Sequence, residues 1–132
     1  MKIIKHNDTR LALHYTEDDI KDGLGFFSED SEFIQVGTWR YDAGKKLQNH
    51  NHFIVERDVN RTQEAIVVLR GSLLARVYDE DDNLIDEVTV SAHEGMIMLA
   101  GGHGYDILED DTIVIETKNG PYPGAEVDRR RF

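Results

Sequence analysis

The sequence predicts an all-β protein, either a sandwich or a jelly roll closing into a small barrel, and three observations predict it. Apolar and polar residues alternate over short runs, the two-residue period of strands. Gly, Asp and Asn break those runs at short intervals, where turns form. Only "TEDDIKDGLG" has a helical signature: Thr16 could cap a turn with acidic residues near its positive end, and it is too short to organise a fold.

Strands are expected, in order, at Ile3 to Lys5 and Arg10 to Tyr15, where alternation begins. Glu32 to Tyr41 follows and puts Gly37, Trp39 and Tyr41 on one face, as an aromatic platform for a sugar or as ordinary packing. Lys46 to His52 ends in "HNH", and a strand there turns His50 and His52 to one side. Glu64 to Leu69 and Ser72 to Tyr78 flank Gly71-Ser72, which fits a type II′ hairpin turn. Leu84 to Val90 is joined to the preceding strand by an acidic loop. There Asp79, Asp81 and Asn83 imitate an EF-hand opening, but Leu84 and Val90 stand where glycine and glutamate are needed, so no calcium site is implied. Met96 to Leu99, Gly104 to Leu108 and Thr112 to Thr117 complete the set.

With 132 residues and no repeat, linker or low-complexity stretch, the chain reads as one domain spanning residues 1–132. It has no cysteine, which excludes disulfides, thiolate nucleophiles and Cys-type zinc sites. The opening "MKIIKHNDTRLALHY" has no apolar core of signal-peptide length, and no run approaches membrane-spanning length, so a cytoplasmic location is expected. A net charge of −11 repels nucleic acid and anionic membrane surfaces, so neither is an expected partner. The one dense basic patch, Arg129 to Arg131, is either a solvated tail or a clamp on an acidic neighbour or an anionic ligand.

The histidine pair would need further nitrogen or carboxylate donors to hold a metal. Glu64 opens the strand after the pair, and His103 lies between glycines that let the backbone bend toward a buried ion. His6, His14 and His93 have no such partners in sequence and are read as surface residues.

These residues carry a family resemblance. Gly44, five residues, then His50 and His52, with Glu64, six residues and Gly71, is similar to the first motif of the cupin superfamily. The chain departs from that motif in having eleven residues between His52 and Glu64, where three or four are usual. Glu56 meets the short spacing but has no glycine seven residues on. The second cupin motif is kept in part, in Gly95 and His103, without its proline and with Ile107 in place of asparagine. The resemblance implies a cupin-type jelly-roll barrel (a double-stranded β-helix) over roughly residues 34 to 117. It also implies one divalent transition metal, iron, manganese, zinc or nickel, on His50, His52, Glu64 and His103. "RTQEAIVVLRG", "LAGGHGYDILED" and "GPYPG…RRRF" further resemble small single-domain cupins associated with surface-polysaccharide biosynthesis.

Such a metal would have one or two open positions, suited to Lewis-acid, hydroxide or oxygen chemistry. The inserted loop, "FIVERDVNRTQ", could lie across the barrel mouth, with Arg57 and Arg61 gripping a carboxylate or phosphate, or salt-bridging to Glu56 and Asp58. Tyr105 should share the inward face of His103 and either donate a hydrogen bond or pack the wall. The expected function is a metal-dependent enzyme or binder for a small polar molecule, anionic or sugar-derived. A non-catalytic ligand-sensing module and an oxygen-using iron enzyme stand beside it. A homodimer is expected through outward apolar residues such as Val67 and Leu69.

Overall fold

The computed structural model describes residues 1–121 and 123–132. It is all-β and antiparallel. β1 (Lys2–His6), β2 (Thr9–Tyr15), β3 (Gly23–Phe26), β4 (Gly37–Arg40) and β5 (Glu64–Arg70) make the first half. β6 (Ser72–Tyr78), β7 (Leu84–Ser91), β8 (Gly95–Met98), β9 (Gly102–Ile107) and β10 (Ile113–Lys118) follow, with a one-turn helix, α1, at Ala125–Asp128. They form a five-stranded sheet in the order β1-β2-β8-β5-β10, a three-stranded sheet β7-β6-β9 and a separate hairpin β3-β4. No strand among the described residues belongs to two sheets.

The strict alternation of β5 and β8 decides the layering. Ile66, Val68, Met96 and Met98 point to one face of the large sheet and pack with Leu73, Ala75, Val77, Val88 and Val90 of the small one. Ala65, Ile97 and Leu99 point to the other face, with Leu13 and Tyr15, and are covered by Phe27 and Ile34. The large sheet is therefore apolar on both sides at its centre, which explains the near-continuous apolar run through β8.

Several expectations are corrected. No strand spans residues 46–52: residues 41–63 carry no regular secondary structure, and their apolar members Phe53, Ile54 and Val55 are exposed. Polar Asn and His at alternate positions cannot bury a face, so alternation there lacks the driving force it has in β5. The expected strand over 32–41 shrinks to β4, and its partner β3 arises inside the stretch read as helical, which keeps only a 3-10 turn at Glu17–Asp19. In that turn the Thr16 amide donates to Asp19 at 3.0 Å.

Gly71 is a corner and not a hairpin turn. β5 pairs with β8 and β10, while β6 pairs with β7 and β9, so the chain changes sheets there. Its φ of +75° and the closeness of Thr112, 2.3 Å from where a Cβ would lie, both require glycine. The β6-β7 hairpin forms as expected, but Asp79 is buried: one oxygen accepts the amides of Asp81 and Asn83, each at 2.9 Å.

Gly95 is fixed by packing. A Cβ there would lie 2.4 Å from the Ile66 carbonyl and from the Tyr15 hydroxyl. Gly95→Ala should cost about 1–3 kcal/mol of folding free energy, because backbone must yield. At Gly104 a Cβ would meet the end of the long Arg76 side chain at 3.2 Å rather than backbone, and Gly104→Ala should stay within about 0.5 kcal/mol of the parent in urea unfolding.

Candidate functional site

Three strand ends meet at one end of the sandwich. Glu64 opens β5, and Lys118, its registered neighbour, closes β10. His103 lies near the start of β9 in the other sheet, opposite Val77. His103 Nε2 lies 3.0 Å from Glu64 Oε2, and Lys118 Nζ donates to Glu64 Oε1. Burial works against the Glu64 charge, but the hydrogen bonds and charges of His103 and Lys118 outweigh it and hold the acid at about 2, below its ordinary 4.5. An ionised carboxylate only accepts, so His103 carries its proton on Nε2 and a neutral ring keeps Nδ1 as acceptor.

Tyr105, two residues along β9, packs its ring 5.4 Å from that of His103. Its hydroxyl is buried and has no hydrogen-bond partner among the described residues. Burial first, then the Glu64 and Glu116 charges, push the phenol above its ordinary range.

Glu64 and His103 line a cavity of about 770 Å³. Its far wall is the C-terminal segment. Arg130 grips Asp82 with both guanidinium nitrogens at 2.8 and 2.9 Å, and Thr62 donates to Asp128. The Phe132 ring meets Tyr78 edge-on at 5.1 Å and rests over Gly102, where a Cβ would lie 2.8 Å from it. The tail thus includes a clamp on an acidic neighbour, one of the two roles its composition allowed.

The expected metal quartet assembles only by half. Glu64 and His103 meet, whereas His50 and His52 sit on the exposed segment 41–61, with rings 5.0 Å apart and the His50 Nδ1 3.2 Å from the Gln48 carbonyl. Among the described residues no group of three or more His, Asp or Glu side chains is placed to hold a metal ion. The donors as placed therefore do not fit the implied metal, and Lys118 already supplies a cation to Glu64.

The two arginines also separate. Arg61 lines the cavity and pairs with Glu80 at 3.0 Å. Arg57 lines a smaller open hollow with Asp58 and Glu32. His6 and His14 do have carboxylate partners, Asp79 at 3.3 Å and Glu94 at 3.0 Å, contrary to their reading as bare surface residues.

Sequence reasoning missed Lys118 and Asn119. Asn119 accepts the Gln63 amide at 2.5 Å and donates to the Arg61 carbonyl at 3.0 Å, pinning the entry to β5. The available signal was "ETKNG", a charged strand end meeting a turn residue. No helix among the described residues is long and apolar enough to cross a membrane. No family model, no curated protein and no solved structure matches the chain.

Glu64→Gln keeps the shape but removes the charge facing Lys118, and should cost about 1.5–3 kcal/mol at neutral pH. A lowered carboxylate contributes stability above its unfolded value that is lost as pH falls through its folded one. The gap between parent and variant in urea unfolding should therefore close as pH drops from 4.5 toward about 2.

Proposed function

We propose that this chain is a cupin-type jelly roll whose cavity binds, and as an enzyme acts on, a small polar molecule that is anionic or sugar-derived. The observation that carries this reading is the cavity of about 770 Å³ with an ionised, buried Glu64 oriented on His103 in its wall. A site of this size, with a few polar groups fixed among sheet residues, suits a small ligand. Met98 and Ala100 give it an apolar surface, and Arg61 adds a guanidinium that can exchange Glu80 for a carboxylate or phosphate. Turnover would use the His103 Nδ1 as proton acceptor, with Glu64 fixing the tautomer and stabilising the charged ring. A binder would use the same contacts without proton transfer.

A second reading keeps the metal, and a specific observation favours it. Among the described residues β9 pairs with β6 alone, which leaves its other edge open beside His103. Segment 46–52 alternates like a strand and is unpaired, and the fully exposed Phe53 and Ile54 beside it favour docking. Pairing there would bring a His-x-His face toward the Glu64–His103 pair. The assembly we propose is a homodimer. Leu69 is exposed for this, whereas Val67 is already half-covered by the second core cluster.

Two measurements test these readings. Calorimetry with sugar phosphates, uronic acids and dicarboxylates should find a ligand for the parent chain. Affinity should then fall about ten- to a hundred-fold in Arg61→Ala and His103→Ala, and hold in Arg57→Ala. Unchanged binding in the first two removes the cavity from function. Elemental analysis of protein purified without chelators tests the metal. The second reading expects about one divalent transition metal per chain, lost in His50→Ala, His52→Ala and His103→Ala but kept in His93→Ala. Equal content in all four variants ends it.

A further inference from the structure

The hairpin β3-β4 stands apart from both sheets. Its register sets Leu24 opposite Trp39 and Phe26 opposite Gly37, so Leu24, Trp39 and Phe26 share one face, and the Phe26 ring lies over Gly37. That face is open: Leu24 is 58%, Phe26 57% and Trp39 66% exposed. Four-residue strands containing three glycines give a hairpin little stability of its own, and an uncovered apolar face adds none. A second open apolar patch lies on the large sheet. Leu69 of β5 and Ile113 and Ile115 of the edge strand β10 are each nearly half exposed.

We propose that the Leu24–Phe26–Trp39 face is an arm that docks on the Leu69–Ile113–Ile115 patch of a second copy of this chain, reciprocally about a two-fold axis. The inference rests on the homodimer reading and is independent of the cavity. One patch is aromatic and the other aliphatic, and both are on the same chain, so two-fold pairing covers both at once. Complete burial of the six residues would remove about 650 Å² per copy, or about 1,300 Å² per pair, at the lower end of the size class of stable interfaces. None of the six is acidic, although the chain holds 26 acidic residues, so the contact itself buries no like-charged pair.

Trp39 is the single tryptophan, so its fluorescence reports on the arm alone. The parent chain should scatter light as twice 15.1 kDa, with blue-shifted emission and weak quenching by acrylamide, both reverting on dilution to monomer. Ile115→Asp, on the receiving sheet, and Leu24→Asp, on the arm, should each give a folded monomer with Trp39 freely quenched. Circular dichroism checks the fold of both, and dilution of the parent supplies the same readout without a substitution. A parent monomer with exposed Trp39 overturns both the arm and the homodimer. A dimer with exposed Trp39 overturns the arm and leaves the homodimer standing. Shielding of Trp39 in a monomer only when an oligosaccharide is added assigns the face to sugar stacking and overturns the proposal.

Discussion

The Glu64 carboxylate is the constraint around which one end of this molecule is built. It is buried and ionised, and a buried charge is tolerable only when its lone pairs are engaged by donors. Its donors come from both sides of the sandwich: Lys118 from the adjacent strand of its own sheet, His103 from the opposing sheet. The sheets therefore hold a fixed separation at this end, while apolar packing alone sets it in the middle. The same need explains the polar scaffold beside it, where Asn119 and Gln63, the next residues beyond the Glu64–Lys118 pair, secure the backbone.

Where burial dictates the alternation, the fold was legible. β2, β5, β6, β7, β8 and β10 lie where apolar and β-branched residues recur, and β9 was placed from the glycine-flanked His103, all with ends shifted by at most two residues. The reading failed where alternation was polar. "LQNHNH" has the period of a strand but nothing to bury, and period without hydrophobic gain leaves backbone geometry open. It also failed at Gly71, where the same residue chemistry serves a hairpin turn and a sheet-changing corner. Only the pairing partners of β5 and β6 separate those outcomes, and partners far along the chain are invisible to local turn chemistry.

The candidate site was legible in the same partial way. Glu64 and His103 are 39 residues apart and meet because Glu64 opens an inner strand and His103 lies near the start of an edge strand in the facing sheet. Lys118 was missed since its importance comes from register: it is the residue of β10 opposite Glu64. Arg57 and Arg61, alike in sequence, part company because Arg61 lies three residues before β5, beside the segment pinned by Asn119, and Arg57 does not. Nearness to an ordered strand end separated the two.

The closure over the cavity differs in kind from the sheets beneath it. Its contacts include the Arg130–Asp82 fork, the Thr62–Asp128 hydrogen bond and the Phe132 ring on Tyr78. Arg130 and Asp82 are solvent-accessible, and exposed ion pairs contribute about 0–1 kcal/mol each. Phe132 is itself 61% exposed, so its ring is only partly covered. Residues such as Val77, Val90 and Ile97, by contrast, are fully buried. These contacts lie outside the two core clusters, whereas moving Glu64 or His103 breaks a charged network shared by two sheets. Local opening draws on the least stable contacts of a fold. Here the groups of the cavity wall are tied to both sheets, while the facing segment is held in part by contacts at the surface.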